Sequence, residues 1–291
     1  MKPASFHYHA PTTLDDVLQL LALHGDEAKL LAGGQSLVPA MNVRLAQPTH
    51  LIDINALTAL AGVTESDEYI RIGALTRHHD VARAPLVRER LPILAEAERH
   101  IAHYAIRQRG TFGGSLCHAD PAAEWPLMAA LLDAELCAVS PQGMRQIAAQ
   151  DFFQSVYTTA LAADELLLHA DIMPLAPNEA WAYRQISRRA GDFAIVAVAV
   201  TLRLDGDKIS AVRMALGGVS DRPVRLTAQE QASLSAVPDA AWISGLASET
   251  ATQLQRVNED IHADAEYRRD LVRYLLTQAL EDALQRAQGE S

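Results

Sequence analysis

Between Thr13 and Gly25, apolar side chains recur at Val17, Leu20 and Leu21, a helical spacing within a polar segment. Thr13 is placed to cap that helix, with Asp16 three residues on and Gly25 as the stop. The period then changes. "AKLLAGG" and "HLIDI" are short β-type runs, so a strand, a loop and a second strand are expected before Asn55. "AGVTESDEYIRIGAL" reads as two extended runs turning around Ser66 and Asp67, a hairpin, after which Thr76 is expected to cap a short helix. "LPILAEAERHIAHYA" continues in helical period, "IRQRGTFGGSLCHADPAAEWP" interrupts it as a loop, and "LMAALLDAELCAVS" passes from helix to strand. A loop of that length between packed elements is usually functional.

After "DELLLHADIMP", the stretch "PLAPNEA" (174–180) has the composition of a linker. "FAIVAVAVTLRL", the turn "DGDK" and "ISAVRMALGGV" then form a strand pair, and the last fifty residues are mostly helical in pattern. The fold class expected is α+β in three units, 1–55, 56–175 and 176–291.

The 291 residues are enough for two or three domains, and 49% hydrophobic with 21% charged residues is a globular composition. The net charge of −11, with no basic stripe interleaved with aromatics, argues against nucleic acid as a partner. Cys117 and Cys137 are the only cysteines, too few for a disulfide framework or for an iron–sulfur cluster held by this chain. The N-terminus lacks a signal-type apolar region, and "FAIVAVAV" is far shorter than the ~20 residues that span a bilayer. The expectation is a cytoplasmic protein without membrane insertion.

Two short stretches echo each other, "GGQSL" at 33–37 and "GGSL" at 113–116. Adjacent glycines can turn successive backbone N–H groups into one concavity that suits anionic oxygens, with Ser36, Thr111 and Ser115 adding hydroxyls. Alone, each pair is more readily an ordinary turn; their double occurrence raises the reading of two loops gripping a dinucleotide pyrophosphate from both sides. Neither carries the G-x-G-x-x-G or G-K-[ST] signature, which disfavours a Rossmann site and a nucleotide triphosphatase. Asp120 and Glu124 follow the second pair and can accept from ribose hydroxyls, although Asp120 ahead of Pro121 is also a natural Asx turn. His78 and His79, and His100 and His103 on one expected helix face, lack a third ligand and are read as packed or solvated; His118 alone has a positional argument for function. No nucleophile with an adjacent base stands out.

The pieces "LLAGGQSLVPAMNVRLAQPTHLIDIN", "IRIGALTRHHDV", "HYAIRQRGTFGGSLCHADPAAEWP" and "RRAGDFAIVAVAV" resemble, in order, the FAD-binding medium subunit of molybdenum hydroxylases of the carbon monoxide dehydrogenase and xanthine dehydrogenase type. The resemblance runs to the C-terminal "ADAEYRRDLVRYLL". It implies a vanillyl-alcohol-oxidase-type FAD domain of two subdomains, followed by a smaller α+β domain. It implies Ala32, Gly33, Gly34, Gln35, Ser36 and Leu37, with Thr111, Gly113, Gly114 and Ser115, as the pyrophosphate clamps. His118, Asp120 and Glu124 fall near the ribose and adjoining groups, Glu124 standing where relatives often have aspartate. Leu167 or Leu168 aligns with a residue lining the flavin ring, Arg184 with a basic contact, and Phe193 with an aromatic that is often tyrosine. Without a phenol hydroxyl, Phe193 can stack but cannot donate.

The implied activity is that of an oxidoreductase: FAD collects electrons from a [2Fe–2S] small subunit, fed by a molybdopterin-containing large subunit, and passes them to an external acceptor in a dimer of heterotrimers. The branch that reduces aromatic acyl-coenzyme A thioesters carries an extra cluster that two cysteines cannot hold. A self-contained FAD oxidoreductase and a non-enzymatic nucleotide-binding module remain the alternatives.

Overall fold

The computed structural model describes residues 1–66 and 68–289. The chain opens with β1 (His7–His9), α1 (Leu14–His24), β2 (Ala28–Leu31), α2 (Leu37–Asn42) and β3 (His50–Asp53). The three strands form a parallel sheet in the order β1-β3-β2. Thr13 caps α1, its Oγ1 accepting from the Asp16 N–H at 3.2 Å, and Gly25 ends it at φ 50°. Val17, Leu18 and Leu21 pack onto Ile52 and Ile54. Two elements exceed the expected strand, loop and strand: β1, and the helix α2, which tolerates Pro39 because its first-turn N–H groups have no intrahelical partner.

β4 (Val63–Ser66) and β5 (Tyr69–Gly73) pair antiparallel as the expected hairpin; Asp67, placed in its turn, lies outside the described residues. Then come α3 (His78–Arg83), α4 (Pro85–Arg90), α5 (Pro92–Glu98), α6 (Tyr104–Arg107), α7 (Phe112–His118) and α8 (Glu124–Leu131). Thr76 is not a cap. Its hydroxyl accepts from the Gly62 N–H, with the Gly62 and Gly73 carbonyls 3.0 and 2.7 Å away, and Arg77 occupies the N-cap position of α3. The helix expected from Leu91 to Ala105 is broken: Ala102 has φ 41°, and Arg107 donates to the Ile101 and Ala102 carbonyls at 2.9 and 3.0 Å. His100 and His103 therefore share no helix face. The second glycine pair is in α7, not in a loop.

The chain continues through β6 (Glu135–Ser140), β7 (Gly143–Ala148), α9 (Ala149–Phe152), β8 (Phe153–Ser155), β9 (Thr158–Thr159) and β10 (Leu166–Ile172). The five-stranded sheet has the order β4-β5-β10-β6-β7. Beyond it are β11 (Ala180–Ile186), β12 (Val196–Asp205), β13 (Lys208–Gly217), β14 (Val224–Arg225), α10 (Thr227–Ser233), α11 (Ala240–Gln253) and α12 (Ala265–Ala287). β11 to β14 form an antiparallel sheet in sequence order. Alternation along "VAVAV" explains its double burial. Val196, Val198 and Val200 face α11 and α12, whereas Ala197 and Ala199 turn their small side chains to the central core with Leu127 and Met128 of α8. No described helix is long and apolar enough to cross a membrane.

Candidate functional site

The chain leaves β2 into Ala32–Ser36 and presses against the segment before α7. An ideal Cβ on Gly33 would lie 2.4 Å from the Arg109 carbonyl oxygen and 2.6 Å from the Gly110 Cα, so only glycine permits this approach. Gly34 follows at φ 71°. Gln35 donates from Nε2 to the Gly33 carbonyl at 2.9 Å, closing the turn. Among the described residues, the N–H groups of Gly33, Gly34, Gln35 and Ser36 donate no hydrogen bond within the chain. This is a row of backbone donors awaiting an acceptor, at a helix start where the peptide dipoles also favour negative charge.

The second glycine pair differs. Thr111, 2% exposed, caps α7 by accepting from the Gly114 N–H at 3.1 Å. The Phe112 and Gly113 N–H groups donate to the Thr76 and Ala74 carbonyls, each at 2.8 Å. These donors are committed inside the chain. Gly113 is required because Ala74 fills the space of its Cβ at 2.5–2.8 Å; Gly114 is exposed, and a Cβ built on it would lie 3.9 Å from the Cβ of Ala32. The two stretches meet, one supplying free donors and the other a close wall.

A polar chain holds the meeting point. Tyr8 donates to Asp53 at 2.6 Å, Asn55 donates from Nδ2 to Asp53 at 2.7 Å and to the Ala32 carbonyl at 2.9 Å, and Arg77 donates to Asn55 Oδ1 at 2.7 Å and to the Arg109 carbonyl. Burial works to raise the Asp53 pKa, but the bonds from Tyr8 and Asn55 and the charge of Arg77 outweigh it and lower it. A cleft of about 380 Å³ opens here, lined by Leu31 to Gln35 with Val38, Pro39, Asp53, Asn55 and Arg109. Behind it, His78 is buried: its N–H meets the Gly110 carbonyl and its Nδ1 accepts from Trp125 Nε1 at 2.8 Å. Burial, then Arg77 and Arg107, push its pKa down to about 4, so the ring is a neutral brace.

A larger cleft of about 660 Å³ lies between the end of α7 and the C-terminal sheet, with Asp120, Tyr157, Arg188, Phe193, His262 and Arg268 in its wall. Asp120 makes the expected Asx turn, accepting from the Ala122 N–H at 2.9 Å, and also accepts from the Tyr157 hydroxyl at 3.3 Å. His118 stacks on Tyr157 with ring centroids 4.7 Å apart. Phe193 is 56% exposed at the cleft. Arg268, only 3% exposed, ties the floor together by donating to the Ile195 and Gly218 carbonyls and to Asp260.

Over this architecture, residues 4–174 match the model of the FAD binding domain in molybdopterin dehydrogenase, and residues 181–283 that of the carbon monoxide dehydrogenase flavoprotein C-terminal domain. The chain is a FAD-binding medium subunit of the molybdenum hydroxylase family. It is 39% identical to the nicotine 6-hydroxylase medium subunit of Paenarthrobacter nicotinovorans over 97% of this chain and 99% of that one. With the carbon monoxide dehydrogenase medium chain of Hydrogenophaga pseudoflava it shares 35% identity over 97% and 98%. Among solved structures it matches carbon monoxide dehydrogenase of that organism at a TM-score of 0.95 and 36% identity, covering 98% of this chain and 99% of that one. Quinoline 2-oxidoreductase from Pseudomonas putida 86 matches at a TM-score of 0.92 and 35% identity, covering 100% and 99%. This medium subunit is thus part of an oxidoreductase, and its cofactor is FAD.

Of the residues nominated from the sequence, Ala32 to Gln35 line the smaller cleft and Asp120 and Phe193 the larger; Ser36, Leu37, Thr111, Gly113, Gly114, Ser115 and His118 adjoin them in sequence, whereas Glu124, Leu167 and Arg184 serve elsewhere in the flavoprotein. Glu124 opens α8 at 4% exposure, and burial first, with Asp120 adding to it, pushes its pKa up to about 7. Leu167 is buried in the central core, opposite Ala138 on β6, just before a register shift in β10. Arg184 shares the face of β11 that carries Ala182 and Ile186, where it donates to Asp282 of α12 at 2.6 Å. The polar chain through Asp53, Asn55 and Arg77 escaped sequence reasoning, as did Tyr157 and Arg268. "LIDIN" held the signal for the first two, since a polar pair closing a strand beside a glycine loop is a natural brace.

Proposed function

We propose that this subunit carries electrons from a [2Fe–2S] small subunit to an external acceptor, in a dimer of heterotrimers with a molybdopterin-containing large subunit, in the cytoplasm. The observation that carries the reading is the Ala32–Ser36 segment, whose free N–H row is wedged against Arg109–Gly110. Such a row fits a pyrophosphate, which brings acceptors and negative charge but no donors. Ala32 to Leu37 would hold the phosphates, with Gly114 and Ser115 of α7 forming the opposite wall. Asp120 and Phe193, with His118 behind Tyr157, would take the parts of the cofactor that extend into the larger cleft. Glu124 and Leu167 would support from the core, and Arg184 would clamp α12 to the C-terminal sheet.

When bound, the flavin supplies the redox chemistry, and the protein supplies binding, orientation and electrostatics. Asn55 and Arg77 fix the carbonyls on either side of the glycine junction, so the donors face one point without reorganising. Phe193 offers an aromatic face and no hydroxyl, so its contribution is stacking and exclusion of water. The separate sheets support the division 1–55, 56–175 and 176–291, with the first two units forming a vanillyl-alcohol-oxidase-type pair.

Native purification with flavin and metal analysis tests the proposal. FAD recovered together with iron and molybdenum on two further polypeptides is the expected result. A flavin-containing single chain that oxidises an organic substrate unaided would instead establish a self-contained oxidoreductase, and a flavin-free single chain would leave a nucleotide-binding module.

A further inference from the structure

Beyond the glycine junction, the N-terminal sheet gathers four of the chain's 11 histidines. The parallel register sets His7 level with His50, and alternation puts His7, His9 and His50 on one face, the face that carries Ile52 onto α1. α1 stops at Gly25, which leaves His24, its last residue, lying over His50 with ring centroids 3.6 Å apart. His9 Nε2 and His50 Nδ1 are 2.9 Å apart, and one ring nitrogen from each of His9, His24 and His50 lies within 4.8 Å of the others. All three are half-buried. Among the described residues, no carboxylate lies within ion-pair distance of these four rings. The cluster is a set of bases without an acid.

We propose that His9, His24 and His50 form a binding site for a divalent transition-metal ion of the Zn²⁺ class, which ties β1 and α1 to β3. Imidazole nitrogens suit zinc, copper and nickel, and three ligands that leave a fourth position open are sufficient for Zn²⁺. Nitrogens bound in a tetrahedron at ~2.05 Å are about 3.3 Å apart, so an ion replaces the His9–His50 hydrogen bond: that pair opens by a few tenths of an ångström, and the near-parallel rings of His9, His24 and His50 turn about their side-chain bonds until their nitrogen lone pairs converge. His24 also sits at the carboxyl end of α1, where the last carbonyls favour a cation. His7, stacked on His50 with ring centroids 5.1 Å apart, stands beside the three, and water completes the coordination at the open position. Because the ligands come from three elements, occupancy reads out as resistance of the N-terminal unit to unfolding. The inference is independent of how the flavin is held.

Full-length protein, as isolated with any bound partners, is stripped with chelator and titrated with ZnCl₂, following metal content after desalting and the thermal transition. One Zn²⁺ per chain at micromolar concentration or below, with an upward shift in Tm, is expected. His24→Gln and His50→Gln, both conservative and partly solvent-facing, should each weaken Zn²⁺ binding about tenfold or more and abolish the Tm shift, while His79→Gln leaves both unchanged. No saturable Zn²⁺, or equal Zn²⁺ affinity in the two ligand variants and the wild type, would overturn the proposal.

Discussion

Gly33→Ala tests the glycine junction most directly. The added Cβ would stand 2.4 Å from the Arg109 oxygen and 2.6 Å from the Gly110 Cα, each about 1 Å inside the ~3.5 Å of ordinary contact. Neither backbone atom is free to move. Arg77 grips the Arg109 carbonyl, and Gly110 is backed by His78, whose Nε2 would lie 2.5 Å from a Cβ built on Gly110. The strain is therefore relieved by displacing residues 32–36 outward by about 1 Å, at an overpacking cost of about 1–3 kcal/mol. The same displacement misaligns the donor row. Hydrogen bonds to a charged group are worth about 1.5–3 kcal/mol, so the loss of one weakens FAD binding about tenfold or more. The assay is titration of flavin-stripped protein with FAD by fluorescence quenching, alongside denaturant unfolding of the same sample. Gly245→Ala is the control: it lies within α11 with open space around its Cβ, and should stabilise by about 0.5–1 kcal/mol without altering FAD affinity. Wild-type Kd and stability in Gly33→Ala would refute the wedge.

Two buried groups give opposed pH dependences. His78 has a folded pKa of about 4 against 6.5 unfolded, so the unfolded chain binds more protons between those values; its contribution of about 3 kcal/mol is lost as pH falls from 6.5 to 4, and His78→Gln should remove that contribution in denaturant titrations. Glu124 is the reverse: its folded pKa of about 7 lies above 4.5, so stability falls as pH rises across that window, and Glu124→Gln should gain about 3 kcal/mol relative to wild type between pH 4.5 and pH 8. Because the windows overlap with opposite sign, the two contributions cancel between about pH 4.5 and 6.5 in the wild type, so His78→Gln exposes the fall in stability with rising pH due to Glu124, and Glu124→Gln exposes the rise due to His78. Arg268→Lys keeps the charge but not the fork that reaches two carbonyls and Asp260; a loss of about 3 kcal/mol is expected by thermal unfolding, with a stability within 0.5 kcal/mol of wild type, on the order of a surface change, counting against the floor assignment.

What could be read in the sequence was local. The α1 helix was legible because its cap, period and stop all lie within Thr13 to Gly25, and the pair β12 and β13 because a short polar turn joins two long apolar runs. The interruption at Ala102 was not legible, since the carbonyls that leave the helix there are held by Arg107, a contact no apolar period records. Leu167 shows the same limit: alternation along "ELLLHADI" cannot reveal the register shift that follows it in β10. The histidine cluster needs the pairing of His7 with His50, forty-three positions apart, and nothing in either segment announces the partner.

The glycine pairs carry the most instructive case. As letters they are nearly identical, and adjacent glycines suggest conformational freedom, yet of Gly33, Gly34, Gly113 and Gly114 only Gly34 has a positive φ. The other three are glycine because something occupies the place of a side chain: the Arg109–Gly110 backbone at Gly33, Ala74 at Gly113, and the capping hydroxyl of Thr111 at Gly114. A glycine pair in a sequence therefore marks close approach as readily as a left-handed turn, and the two have different consequences. Close approach predicts that even alanine fails, by sterics against a fixed backbone. Positive φ at Gly34 predicts instead a tolerance for asparagine, which adopts that conformation more easily than alanine does, because the only atoms an added Cβ meets are the flexible side-chain ends of Leu31 and Val38, at 3.1 and 3.2 Å, which can give by a few tenths of an ångström. Gly34→Asn retaining FAD where Gly33→Ala loses it would separate the two causes within two adjacent residues.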